Sequence, residues 1–151
     1  MSRTINDIPT PEYSFPEAGE HECQCVGAAK VFAKTKGTPG IELTWITVDG
    51  AHQFTDTLWM TAKAIGRFAV IGKRLFKEEI ETLQLDDDNA MAVEQLGAFI
   101  MSHIVDTYAL VTIDEYSETF IHESGDKIGQ KETRTKRRVG FSGYTESASP
   151  F

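Results

Sequence analysis

The chain has 151 residues, 40% hydrophobic and 25% charged, enough for one ordinary core and an average balance for a globular protein. Its formal charge of −8 excludes a generic polyanion binder that works through an overall positive field. No run approaches the roughly 18 apolar residues of a membrane span. The opening MSRTINDIPTPEYSFPEAGE lacks the apolar stretch of a secretory signal, so cytoplasmic residence is the default expectation.

Residues 1–18 carry Pro9, Pro11 and Pro16 without periodicity, which predicts an extended arm. From Glu20, the polar Glu20, Glu22 and Gln24 alternate with His21, Cys23 and Cys25, the pattern of a strand. The two cysteines would share a face, but a disulfide between such near neighbours is strained and closes almost no loop, so a reduced compartment fits. With His21 they form a His-x-Cys-x-Cys array. Structural zinc needs a fourth ligand and usually a turn between its cysteines, so packing as small hydrophobes is the better reading. No metal or other cofactor is expected. Gly27 interrupts the strand and predicts a bulge or sharp bend, after which Ala29 to Phe32 continues it. Lys34-Thr-Lys36-Gly37-Thr-Pro39-Gly40 reads as a flexible basic loop.

Ile41, Leu43 and Trp45 fall on one face of a second strand, with Glu42 and Thr44 on the other. Asp49-Gly50 can supply the positive φ angles of a tight primed turn, and the returning strand alternates Phe54 and Leu58 with Thr55, Thr57 and Trp59. Thr61 suits the N-cap of a helix with Ile65, Phe68, Gly72, Leu75 and Phe76 on one face and Lys63, Arg67 and Arg74 on the other. That basic stripe reads first as a solvated surface. An acidic stretch ending in Asp86-Asp87-Asp88 precedes a second helix from about Asn89, whose end is open because Phe99 to Val105 fits helix or strand. Tyr108 to Ile113 is a strand, Ser124-Gly125-Asp126 a turn and Thr133 to Phe141 the last strand. Ser142 to Phe151 is a polar tail.

A long bent strand, a hairpin, helical material and two more strands follow the connectivity of an OB-fold, a five-stranded barrel with a helix between strands 3 and 4. Another small β-barrel and an α+β sheet layered on helices are the competing architectures. The pattern therefore predicts a mainly β protein: an arm over 1–18, a barrel domain over 19–141 with a helical insertion at about 61–104, and a flexible tail over 142–151.

Charge is segregated. Acidic residues gather at Glu12 to Glu22, Glu78 to Asp88 and Asp114 to Glu123, and basic ones at Lys30 to Lys36, Lys63 to Arg74 and Lys131 to Arg138. Sequence-independent single-strand binding needs cations along the phosphate path and flat side chains on which bases stack. Candidate cations are Lys34 and Lys36 in the first loop and Arg134, Lys136, Arg137 and Arg138 on the last strand, with Lys30 beside them. Alternation would set Arg134, Lys136 and Arg138 in one phosphate-facing row; a solvated edge whose cations discourage aggregation explains the same pattern. Trp59, Phe32, Tyr108 and Phe141 are the stacking candidates, whereas Trp45 shares a face with Ile41 and Leu43 and is expected in the core.

The run PEAGEHECQCVGAAKVFAKTKGTPGIELTWITVDGAHQFTDTLW, the alanine-containing helix and the late basic strand together resemble a phage and prophage family. That family, formerly a domain of unknown function, is assigned as single-stranded-DNA-binding-like and of OB-fold type. Gly19, Gly37, Ile41, Leu43, Thr44, Trp45, Asp49, Gly50 and Phe54 carry the resemblance, which covers about residues 17–76 and, more loosely, 105–144. The long 78–104 segment departs from it. The resemblance implies single-stranded DNA as partner and a role in phage-type DNA replication or recombination in a bacterial host cell. Pro150 and Phe151 also resemble the Pro-Phe end of bacterial single-stranded-DNA-binding proteins, although only Glu146 among the last ten residues is acidic. Replication or recombination proteins docking on Pro150 and Phe151, and a second copy of the chain, are the further partners this reading admits.

Catalysis finds little support. There is no phosphate-cradling glycine loop, nucleophile elbow or paired metal-binding histidine motif, and His21, His52, His103 and His122 are scattered. Asp86, Asp87 and Asp88 could hold a divalent ion in a nuclease, but a solvated loop leading into a helix N-terminus accounts for them. The alternative to DNA binding is a non-catalytic adaptor or scaffold, which the charge of −8 favours.

Overall fold

The computed structural model describes residues 11–147, and of Phe141 and Ser142 the backbone alone. Its strands are β1 (Glu12–Tyr13), β2 (Gly19–Phe32), β3 (Pro39–Thr47), β4 (His52–Trp59), β5 (Tyr108–Ile121) and β6 (Lys131–Glu146). They form a single mixed sheet in the order β1-β4-β3-β2-β5-β6, antiparallel except where β1 runs beside β4. Between β4 and β5 lie a 3-10 turn (Ala62–Ala64), α1 (Ile65–Leu75), α2 (Lys77–Ile80) and α3 (Asn89–His103). Among the described residues no helix is long and apolar enough to cross a membrane.

Alternation sets the inward face. Cys23 and Cys25 of β2, Ile41, Leu43 and Trp45 of β3, and Ala109, Val111 and Ile113 of β5 are buried and meet Phe68 and Ile71 of α1 and Leu96 and Ile100 of α3. Each such Leu or Ile contributes about 1.5–3 kcal/mol by leaving water. Asp88 opens α3 by accepting from the Ala90 amide, and Ile100 and Ile104, both buried, carry the helical spacing to its end. Phe99 to His103 is thus helix. Thr61 stands before the 3-10 turn, but its hydroxyl makes no capping bond.

Gly27 lies where expected: the β2–β3 register shifts between Cys25 and Gly27, leaving Val26 as the extra residue of a bulge. The β3–β4 turn differs from the primed turn the Asp49-Gly50 pair suggests. The Gly50 amide donates to the Thr47 carbonyl at 2.8 Å, which places the turn over residues 47–50. Gly50 has φ of 75°, while Asp49 keeps a negative φ, since Asp106 is the one non-glycine residue with positive φ among those described. The Asp49 carboxylate instead accepts from the Thr47 hydroxyl at 2.6 Å and the Ala51 amide at 2.9 Å, and this bonding rewards the ordinary backbone. Part of the expected arm lies on the sheet: Glu12 and Tyr13 pair with His52 and Gln53, and Phe15 packs on Phe54 with ring centres 5.3 Å apart.

The sheet is open. The five-stranded barrel expected from the pattern would need a ladder between β4 and β6, and none joins them among the described residues. Side chains meet there instead. Asp56 of β4 accepts from the Tyr144 hydroxyl of β6 at 2.5 Å and from Arg67 of α1 at 2.7 Å, and Arg74 donates to the Tyr144 carbonyl at 3.2 Å. Helix α1 thereby supplies a donor to a carbonyl that a closing strand would otherwise take up.

Burial pushes the Cys23 thiol up to about 12 and the Cys25 thiol up to about 11. Both stay protonated and enclosed, as expected of small core hydrophobes. Native protein at about pH 8 should therefore resist a thiol-titrating disulfide reagent, whereas both cysteines should react on denaturation, because the thiolate is the nucleophile. Stoichiometric labelling without denaturant would contradict this burial.

Candidate nucleic-acid interface

Beyond Ile113 and Val139 the β5–β6 pair leaves the core. Eight residue pairs, from Asp114 opposite Arg138 to Ile121 opposite Lys131, form a two-stranded arm of about 27 Å with no buried residue on it. Its even-numbered face continues the outward face of the sheet, because residues 109, 111 and 113 point inward. Arg134, Lys136 and Arg138 do share that face, and each reaches diagonally across to β5. The Arg138 guanidinium lies 4.4 Å from the Tyr116 ring centre and that of Arg134 lies 4.6 Å from the Phe120 ring centre. Between them Lys136 pairs with Glu118 at 2.5 Å, which raises the lysine pKa. Glu132, 3.6 Å from Arg134, also takes a 2.6 Å bond from His122, which lowers its carboxyl pKa.

The row is therefore a ladder of cation–ring and cation–carboxylate contacts, not a line of open charges. Asp114, Glu118 and Glu132 share the face with Arg134, Lys136 and Arg138, three acids against three bases. Arg137 points to the other face and pairs with Glu115 at 3.2 Å. Reading β6 alone could not reveal this, because the acids come mainly from β5. Tyr116 and Phe120 are absent from the sequence-derived candidates. Their common parity with Glu118 in Asp114–Ile121 was the available signal, hidden because that acidic run lies past the β-branched core of the strand.

The other candidates gather at the opposite end of the sheet. Lys34 and Lys36 are exposed in the loop joining β2 to β3, closed by the Ala33 amide donating to the Thr38 carbonyl at 2.8 Å. Trp59 lies next to that end, opposite Gly40, and is 41% exposed on the outward face with Thr55 and Thr57. Its ring rests on Gly40, where an added Cβ would come within 2.6 Å of Trp59 Cε3. Phe32 is exposed with Lys30 Nζ 5.6 Å from its ring centre, and Trp45 is fully buried against Tyr144 at 5.3 Å. The loop and the arm stand about 40 Å apart along β2, a separation shortened by the bend at Gly27. The structure does not bring the two cation groups into one cluster. Pro150 and Phe151 lie outside the described residues, as does the side chain of Phe141.

No family model matches the chain, and no curated protein matches it. The site must be judged on its own chemistry.

Of the helical cations expected to be solvated, Arg67 is instead ion-paired in the interior with Asp56. Asp86 accepts from the Asp88 amide at 2.8 Å while Asp88 caps α3, so these two carboxylates serve the turn and the helix start. Among the described residues no group of three His, Cys, Asp or Glu side chains is placed to hold a metal ion.

The glycine under Trp59 provides a local test. Gly40→Ala should push the indole off the backbone, red-shifting tryptophan emission towards the solvent value. Because Trp45 is buried, the shift should be lost in Gly40→Ala with Trp59→Phe. An unchanged spectrum in the single variant would contradict the stacked ring.

Proposed function

We propose that the chain binds single-stranded DNA without sequence preference, as in phage-type DNA replication or recombination, along the outward face of an OB-type sheet. The strand order β4-β3-β2-β5-β6 supports this reading, being the order that the five strands of such a barrel take when it is left open between its third and fifth strands. In OB-folds the faces of strands 2 and 3 and the loops joining strands 1–2 and 4–5 take up oligonucleotides. Lys34 and Lys36 occupy the first of those loops, Trp59 lies on the third strand, and the arm extends from the fourth and fifth. The observation that carries the reading is the pair of guanidinium–ring contacts, Arg138 on Tyr116 and Arg134 on Phe120. A guanidinium held over an aromatic ring keeps its charge for phosphate and widens the surface on which a base can stack. Replication or recombination proteins at Pro150 and Phe151 belong to the same reading.

A second reading, a non-catalytic adaptor, draws on the balance of three acids and three bases on the arm face and on the net charge of −8. Electrophoretic mobility of a labelled oligothymidylate separates the two. Binding at low salt that weakens as salt rises is expected, with single strand preferred over duplex. Absence of a shift even at low salt would sink the DNA reading. Cleavage of the strand on adding magnesium or manganese would instead reveal a nuclease.

A further inference from the structure

Most of the outward face between the loop and the arm is polar, with Thr44, Thr55 and Thr57 along it. One concave patch differs. A cavity of about 230 Å³ opens there, lined by Gln24, Val26, Ile46, Val48 and Tyr108 together with Thr47 and Gly50 of the β3–β4 turn. Gln24 stands opposite Ile46 on one side and Tyr108 on the other, so the cavity spans β3, β2 and β5.

Two local irregularities build it. The bulge at Val26 sends that side chain out to 40% exposure, and the β3–β4 turn carries Val48 at 46% exposure in a position where polar residues are usual. No charged side chain lines the cavity, so a phosphate finds no cation to pair with in it. A flat neutral ring does. Tyr108, Ile46 and the two valines offer apolar surface, and the Gln24 carboxamide presents a donor edge and an acceptor edge, which suits the hydrogen-bonding edge of an unstacked base. The cavity lies about 20 Å along β3 from the Gly40–Trp59 pair and about 26 Å along β5 from Tyr116, between the two cation groups.

We infer that this cavity is a subsite for one nucleobase of the bound strand, held between phosphate contacts at the loop and at the arm. The inference rests on the single-strand reading and predicts a signature of its own. A base subsite contributes stacking and hydrogen bonds but releases no counterions. Tyr108→Leu and Val26→Glu should therefore weaken binding of an oligothymidylate of about 15 nucleotides by roughly 5- to 100-fold. For Tyr108→Leu the dependence of log affinity on log salt should stay at the wild-type slope. Tyr108→Phe should bind as the wild type does, and thermal melts should report that all three variants fold.

Fluorescence anisotropy with the full chain, run in parallel on the oligothymidylate and on an abasic strand of equal length, isolates the base. The wild type should prefer the thymidylate, and Tyr108→Leu should reduce that preference by the same roughly 5- to 100-fold while binding the abasic strand unchanged, the remainder coming from the other rings on the face. A loss of less than twofold in both Tyr108→Leu and Val26→Glu, with arm-dependent binding retained, overturns the subsite and leaves the single-strand reading intact. A preference that survives Tyr108→Leu undiminished overturns it as well. No binding of either strand by the wild type at low salt overturns both.

Discussion

Arg67→Met is expected to destabilise the protein by about 3–5 kcal/mol at neutral pH, because it leaves the Asp56 carboxylate buried without its cation. At this chain length that corresponds to a fall in Tm of about 10 °C or more. Tyr144→Phe removes a hydrogen bond to the same oxygen and should cost less, about 1–3 kcal/mol. Burial holds the Asp56 carboxyl above its usual range, partly offset by Arg67 and by the Tyr144 hydroxyl. With the pKa raised in the folded state, this group's stabilising contribution is greatest below the ordinary carboxylate range. It is lost as pH rises through the folded value. Taking away Arg67 removes an influence that lowers the pKa, so the variant takes up a proton more readily. Its deficit should shrink as pH is lowered from about 8 to about 5. Double replacement, Asp56→Leu with Arg67→Met, should recover much of the loss, since neither buried charge remains. Denaturant melts across that pH range test the whole set. A pH-independent deficit in Arg67→Met would mean that the carboxylate is solvated and the clamp is not what joins β4 to β6.

The clamp bears on function because β6 is both its partner and the root of the arm. Arg134→Glu with Arg138→Glu removes two candidate phosphate partners and adds two repulsive charges on the outward face. Affinity for single-stranded DNA should fall roughly 10- to 100-fold at moderate salt, and the salt slope should shrink by about 1.4. Stability should fall by about 1–2 kcal/mol, since each lost guanidinium–ring contact is worth about 0.5–1 kcal/mol at an exposed site and the new acids face Glu118 and Asp114, while the core is untouched because no residue of the arm is buried. Glu118→Gln is the control of opposite sign: it releases Lys136 from its 2.5 Å pair and should tighten binding and steepen the slope. Filter retention at several salt concentrations reads both. Unchanged binding in the charge-reversal variant would remove the arm from the site.

These two groups of residues differ in how far they could be read in advance. Trp45 inside and Trp59 outside follow from strand parity alone, because a pleated strand assigns each side chain a face before any partner is known, and the bend at Gly27 follows from a glycine interrupting that alternation. Asp56 carried a readable signal as well. It lies between Phe54 and Leu58 on the inward parity, and a carboxylate there demands a buried partner. Which partner answers it, 11 residues away on a helix and 88 away on the last strand, depends on how α1 and β6 fold back over the sheet.

The arm shows the same division. The basic alternation of Arg134, Lys136 and Arg138 was visible, but its meaning depends on the register that sets Tyr116, Glu118 and Phe120 diagonally across from it. The sequence by itself determined the central runs of β2 to β6, the bulge, the helical segment, the segregation of charge and most of the inward face, since periodicity and turn chemistry are local; the pairing of β1 and the extension of β5 to Ile121 and of β6 to Glu146 were not legible. Only the tertiary structure decided that the sheet stays open, that a buried ionic clamp stands at its seam, and that the cations rest on rings and carboxylates. Each of those depends on pairing between residues far apart in the chain, where Coulomb attraction and ring stacking act over a few ångströms and local pattern carries no information about who the neighbour will be.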